Sequence, residues 1–187
     1  SVGKTSIINS FCRDKFVSAY KSTTGQYNRT KKLKIDDTMY NIDIWDCGDL
    51  QEVDVNQYLR NCSGILFVYD VTNLETLKSI ENYAQIVKQH LTVSDSFPMY
   101  LFGNKCDLLT QKQYNLSAPE IVAKKLKLSA SVVGSARLDI NIDSKIKNLV
   151  RKCLGLKVVE DDIENFTVKE TEDEQVTIVR KKKCNGM

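Results

Sequence analysis

The chain has 187 residues, 42% of them hydrophobic, which suits one globular domain followed by a tail. Its 27 lysines and arginines stand against 24 aspartates and glutamates, and a net charge of +3 is too small to draw nucleic acid or a strongly acidic partner. The six cysteines form no C-x-x-C pair and only His90 offers an imidazole, which excludes an ordinary zinc site; with no long apolar run and no signal segment, a soluble cytoplasmic chain with free thiols is expected.

The chain opens on Ser1-Val2-Gly3-Lys4-Thr5 and runs straight into apolar positions at Ile7, Ile8 and Phe11, the pattern of a short helix starting on a glycine turn. Residues 27 to 36 and 39 to 46 alternate, with Leu33 and Ile35, then Tyr40, Ile42 and Ile44, on one parity around Asp36-Asp37. That predicts a β-hairpin. Gly64 to Tyr69 and Met99 to Phe102 are continuous apolar runs, as in parallel strands covered on both faces. Between them Leu77, Ile80, Ala84, Val87 and Leu91 recur at helical steps and predict an amphipathic helix over about 74–92. Ser117-Ala-Pro-Glu120 is a capping-box pattern for a helix through Leu126, Leu128 to Val133 reads as a further strand, and Ile142, Ile146, Leu149, Val150 and Cys153 predict a last helix ending near Gly155. The class is α/β with right-handed crossovers. Past Leu156 the acidic run from Glu160 to Glu174 carries few large apolar groups, so residues 156–187 are expected to form a disordered tail behind a domain at 1–155.

Two stretches carry chemistry. Gly3-Lys4-Thr5 is the second half of a phosphate-binding loop, where backbone N–H groups and a helix N-terminus surround phosphates, but a bare G-K-T also fits an ordinary helix start. Asn104-Lys105-Cys106-Asp107 ends an apolar strand, at the edge where a doubly wound sheet holds its ligand. A carboxylate at Asp107 accepts two hydrogen bonds from the ring and exocyclic N–H donors of guanine, which adenine does not offer in that arrangement. Charge-assisted bonds of about 1.5–3 kcal/mol each are enough to set base choice. Ser135-Ala136-Arg137 follows the next strand, where a second base-contacting loop belongs.

Taken in order, G-K-T, S-T-T-G at 22–25, W-D at 45–46, Y-D-V-T at 69–72, N-K-C-D and S-A-R resemble the small GTPases of the Ras superfamily, of the Rab type, over roughly residues 1–154. The resemblance implies a P-loop NTPase fold, a doubly wound, mostly parallel six-stranded sheet flanked by helices, whose first strand and first P-loop glycine would precede Ser1. A chain starting at Ser1 is therefore expected to fold poorly and bind GTP weakly, and about ten added upstream residues, enough for one strand and its turn, are expected to restore both. It also implies GTP/GDP and Mg2+ as cofactors. Val2, Gly3, Lys4, Thr5 and Ser6 match the phosphate loop; Phe16 and Tyr20 match aromatics over the guanine and the phosphates; Asn104, Lys105, Asp107, Ser135, Ala136 and Arg137 match the base loops. Thr5, Thr23 and Asp46 match the residues that hold the metal, Asp46 through water.

The second switch departs from the family. Where the family reads W-D-T-A-G-Q-E, this chain reads Trp45-Asp-Cys-Gly-Asp-Leu-Gln-Glu52. Without gaps Asp49 takes the glycine position; a deletion recovers Gly48 for the γ-phosphate but puts Asp49 where glutamine belongs; an insertion recovers Gln51 as the catalytic residue that orients water. All three alignments stay open. An aspartate beside the γ-phosphate adds repelling charge, so slow intrinsic hydrolysis is expected.

The basic residues Arg29, Lys31, Lys32 and Lys34 suit the edge-strand guard against aggregation better than an acidic partner, and His90 is read as structural. Arg180-Lys-Lys-Lys183 ahead of Cys184-Asn-Gly-Met187 has the length of a prenylation box with a basic block, though its middle residues are not aliphatic, and a solubilising tail is the plain alternative. Two functional readings follow. One is a GTP-binding switch with weak hydrolysis in vesicle traffic, met by an effector, an exchange factor and a GTPase-activating protein, cytoplasmic or peripheral on an intracellular membrane. The other is a hydrolysis-deficient, GTPase-like scaffold.

Overall fold

The computed structural model describes residues 2–12, 27–48, 54–91, 94, 96–109 and 117–159, together with the backbone of two short strands at 167–169 and 177–179. Helix α1 (Lys4–Cys12) follows the glycine turn and buries Ile7, Ile8 and Phe11, the three positions its apolar spacing marks. Strands β1 (Tyr27–Ile35) and β2 (Thr38–Asp46) pair antiparallel with Ile35 opposite Thr38, so Asp36 and Asp37 make the whole connection. Asp36 takes a left-handed φ of +51°, which a short polar side chain tolerates. Its carboxylate is gripped by Arg151, whose two terminal nitrogens donate at 2.7 and 3.2 Å.

A helix that the sequence pattern did not reveal, α2 (Val55–Leu59), comes next, opened by Asp54, whose side chain accepts the N–H of Asn56. Five residues are too few to display a helical stripe, although Val55, Tyr58 and Leu59 are all buried. Then the alternation of strand and helix sets in: β3 (Ile65–Asp70), α3 (Glu75–His90), β4 (Met99–Asn104), α4 (Ser117–Lys125), β5 (Ala130–Val133) and α5 (Ile142–Cys153). The three strands run parallel in the order β3-β4-β5. Every residue of β4 is buried, as a continuous apolar run requires. Helix α5 stops where expected: Gly155 adopts φ +70°, the N–H of Leu156 reaches the carbonyl of Arg151 at 2.8 Å and that of Gly155 reaches Lys152 at 3.0 Å, a Schellman ending.

Alternate residues of the parallel strands serve two cores. Phe67, Tyr69 and Leu101 pack with Leu77, Ile80, Ala84 and Val87 of α3 and Ala123 of α4. On the other face Val68 and Phe102 pack with Ile7 and Phe11 of α1, Ile142, Ile146 and Val150 of α5, and Leu33 and Ile35 of the hairpin. The sheet is thus covered on both sides. Among the described residues the hairpin and the three-stranded sheet are separate hydrogen-bonded groups, joined by side chains, so the expected strands are present without forming one continuous sheet. Each fully buried large apolar side chain contributes about 1.5–3 kcal/mol, so this shared core can hold the hairpin without a ladder between the two.

Two details differ from the sequence reading. Lys31 does not stand among the solvent-facing lysines of β1: its ammonium donates to the Phe11 carbonyl, lies 3.7 Å from the centre of the Phe11 ring and 3.7 Å from Asp143. It ties β1 to both α1 and α5. Within the region expected to be disordered, β6 (Thr167–Lys169) and β7 (Thr177–Val179) pair antiparallel. No helix among the described residues is long and apolar enough to cross a membrane.

Candidate functional site

Four strands and one helix bring their ends to a single edge. The turn before α1 holds Gly3 at φ +85°, and a Cβ there would lie 2.5 Å from the side-chain nitrogen of Asn104. Only glycine fits. Lys4, Thr5 and Ser6 then form the first turn of α1, which contains no acidic residue. The first N–H groups of a helix have no acceptor within it, so this end suits an anion.

Asn104, 2% exposed at the end of β4, joins two loops. Its Nδ2 donates to the carbonyl of Val2 at 3.0 Å, and its Oδ1 accepts the N–H of Ala136 at 3.0 Å. The amide thus fixes the phosphate-type loop against the Ser135-Ala136-Arg137 loop. After it, Lys105 takes a left-handed φ of +69° and turns the chain into a short 3₁₀ turn, Cys106–Leu108. Asp107 is buried there, with one carboxylate oxygen accepting from the Ser135 hydroxyl at 2.5 Å and the other 3.8 Å from the exposed Arg137. Ser135 is fully buried and its hydroxyl also accepts the N–H of Leu138 at 3.2 Å, which closes its loop.

At the hairpin side, the Thr5 hydroxyl donates to the carboxylate of Asp46, a residue only 3% exposed at the end of β2. A hydroxyl and a carboxylate in contact are hard oxygen donors. Mg2+ is typically held by one or two carboxylates together with substrate phosphates, so the pair fits that ion. No group of three histidine, cysteine, aspartate or glutamate side chains among the described residues is placed to hold a metal alone. Next to this pair, burial and the neighbouring Asp46 push the Cys47 thiol up to about 12.

The structure therefore brings together Val2, Gly3, Lys4, Thr5, Ser6 and Asp46 on one side and Asn104, Lys105, Asp107, Ser135, Ala136 and Arg137 on the other. Gly48 is exposed, and nothing among the described residues lies within 4 Å of a Cβ built on it, so no crowding requires glycine there. Phe16, Tyr20, Thr23, Asp49 and Gln51 lie outside the described residues. His90 is exposed, its Nδ1 2.9 Å from the Ile86 carbonyl of its own helix.

One residue of the site carried no role in the sequence reading. Asp70, at the end of β3, lies 2.5 Å from the Lys105 ammonium through one carboxylate oxygen, while the other accepts the N–H and hydroxyl of Thr72 at 3.0 and 2.7 Å. The signal was the Y-D-V-T run itself. What it lacked was the parallel register that sets Asp70 beside Asn104.

The comparisons with known proteins agree with this arrangement. Residues 1–155 match the Ras family. This chain belongs to that family. It is 30% identical over 155 residues to the Ras-like protein rasU of Dictyostelium discoideum, covering 82% of this chain and 71% of the relative. The Ras-related protein Rab-13 of Rattus norvegicus is 28% identical over 155 residues, 82% of this chain and 75% of its own length. The GTP-binding protein ypt2 of Schizosaccharomyces pombe is 27% identical over 166 residues, 88% of this chain and 80% of its own. A Rab-like small GTPase with the P-loop NTPase fold is the identity these matches and the α/β architecture support together.

Proposed function

We propose that this Ras-family chain is a nucleotide-dependent switch that binds GTP and GDP with Mg2+ and hydrolyses GTP slowly. The observation that carries it is Asp107: a buried carboxylate, held by Ser135 at the edge where Asn104 clamps the phosphate-type loop to the Ser135-Ala136-Arg137 loop. In this reading the nucleotide phosphates lie against the first turn of α1 with Lys4 supplying positive charge, and Asp107 accepts from the two N–H donors on the edge of guanine. Thr5 and Asp46 are the described residues that would hold Mg2+, and the resemblance assigns Thr23 to the same ion. Bound there, Mg2+ supplies charge that neutralises the terminal phosphates.

Slow turnover rests on the sequence of the second switch, where Asp49-Leu50 stands between Gly48 and Gln51 so that no contiguous glycine-glutamine pair remains. That interruption also favours the second reading, a scaffold that has lost hydrolysis. Nucleotide content of the purified full-length protein separates them. Bound GTP means slow turnover, bound GDP means a working cycle, and an empty protein overturns the switch in favour of the scaffold. A single-turnover rate equal to that of an ordinary Rab overturns slow hydrolysis alone.

Base choice is tested at Asp107. Asp107→Asn replaces an acceptor with an amide that can donate, so the preference is expected to move from guanine toward xanthine, which carries a carbonyl where guanine has its amino group, by at least about tenfold. An unchanged preference removes Asp107 from the base contact. Vesicle traffic, an effector, an exchange factor and a GTPase-activating protein follow from the Rab-like resemblance. Membrane attachment through Cys184 and the basic residues Arg180 to Lys183 belongs to the same proposal, and loss of membrane partitioning in Cys184→Ser checks it.

A further inference from the structure

Lys105 poses a physical problem that the nucleotide reading does not solve. It is a non-glycine residue in left-handed backbone at the mouth of the site, and its ammonium sits on a flexible four-carbon stem. Left to itself, such a side chain wanders through the crevice. Here it does not, because its nitrogen lies 2.5 Å from Oδ2 of Asp70 on the neighbouring strand, where the register pairs Asp70 with Asn104.

Asp70 is itself a fixed point. Its Oδ1 accepts from both the N–H and the hydroxyl of Thr72, and its own N–H donates to the Thr76 hydroxyl at 2.9 Å, so the carboxylate is oriented from the turn that follows β3. Burial alone would raise this carboxyl, and hydrogen bonds from Lys105 and Thr72 override it, leaving it below its ordinary value. It is 7% exposed, whereas the Lys105 side chain is 33% exposed. The buried end of the pair is therefore the anchor and the lysine stem the presented part.

We propose that Asp70 is a positioning residue for base recognition: by holding the Lys105 ammonium, it lays the apolar stem along the crevice beside Asn104 and Asp107, so that a guanine ring meets a preformed wall. The proposal rests on the guanine-nucleotide reading above. Asp70 touches no nucleotide in this account and acts through Lys105 alone.

The test is the release rate of fluorescently labelled GDP from the full-length protein in the wild type, D70N, K105M and the double variant. Asparagine keeps an acceptor for Thr72 and loses the charge that holds the ammonium. D70N is expected to speed GDP release about tenfold, the scale of one charge-assisted contact, and to change nothing further in the K105M background. Competition by inorganic triphosphate, which has no base, is expected to be equal in wild type and D70N. Should D70N not fold, T72V removes the hydroxyl that orients Asp70 and is expected to speed release about threefold, again only while Lys105 is present. Unchanged GDP release, an equal acceleration in the K105M background, or an equal loss of triphosphate binding each overturns the inference. A wild type that holds no guanine nucleotide overturns the proposed function and this inference with it; a wild type that binds, with release unchanged in D70N, overturns this inference alone.

Discussion

A methyl group on Gly3 would have to displace Asn104. The backbone φ of +85° already disfavours any other residue, and the added Cβ would stand 2.5 Å from the Asn104 amide nitrogen. Moving that amide breaks its bonds to Val2 and Ala136 together, leaving a carbonyl and an N–H without their partner. Gly3→Ala is therefore expected to cost about 2–4 kcal/mol, read as a lower urea midpoint, and to weaken GDP binding in parallel. An unchanged midpoint would mean that the clamp holds nothing. At this scale the sequence is readable where a residue type has few uses. Asn104, Asp107 and Gly3 could be picked out because a polar run at the end of an apolar strand, and a glycine ahead of a helix, each have a narrow set of causes. Asp70 could not, since its partner is 35 residues away and only the pairing of β3 with β4 brings them together. Lys31 was misread for a similar reason: alternation put it on the inward parity of β1, but its attraction to the Phe11 carbonyl and to Asp143 depends on where α1 and α5 lie.

Helix α5 is the element on which distant parts of the chain converge. Arg151 reaches Asp36 at the hairpin turn and donates through Nε to the Lys157 carbonyl at 2.5 Å. One turn earlier, Asn148 donates to the Val159 carbonyl at 2.7 Å and accepts its N–H at 3.0 Å, imitating one rung of a strand ladder. The segment after Gly155 is thereby folded back along the helix. Asn148→Ala is expected to lower stability by about 1–2 kcal/mol and to open the chain to trypsin after Lys157; unaltered digestion would show that the apolar contact of Leu156 suffices. The Asp36–Arg151 pair has a different signature. The hydrogen bond from Arg151 holds the Asp36 carboxyl below its ordinary value of 3.8, so its contribution is complete above that value and disappears as pH falls through the lowered one. Because the carboxylate is solvent-exposed, the effect is expected to be small and to fade in high salt, and Asp36→Asn should leave the salt dependence of stability flatter. Elements such as α3 and α5 were legible because a long apolar stripe repeats, whereas α2 was not, since five residues hold too few turns to repeat anything.

Across the whole molecule, four partly buried thiols sit at or beside the ends of elements: Cys47 after β2, Cys62 before β3, Cys106 after β4 and Cys153 at the end of α5. Burial raises all four, Cys47 and Cys106 to about 12 and Cys153 to about 11, from an ordinary value of 9.0. The direction of the linkage follows from proton counting. Between pH 9.0 and about 11 to 12 the unfolded chain sheds thiol protons that the folded chain keeps, so the unfolded state binds fewer protons and stability falls as pH rises. Below pH 9.0 the contribution is flat and complete. Since the four residues lie beside three different strands and at the end of one helix, the alkaline loss is expected to appear as one cooperative shift of the urea midpoint and not as the opening of a single loop. A variant with alanine at all four positions should lose most of that slope above pH 9.0 while keeping the acid side unchanged; a slope that survives the substitutions would place its origin in tyrosines or lysines instead. The same burial makes the thiols slow toward disulfide reagents at neutral pH, because the thiolate is the attacking species. If the chain holds a nucleotide between Thr5, Asp46 and Asp107, labelling of Cys47 and Cys106 should slow further when GDP is present, since each adjoins a carboxylate of the site and a ligand that binds only the folded chain suppresses the opening through which these thiols react.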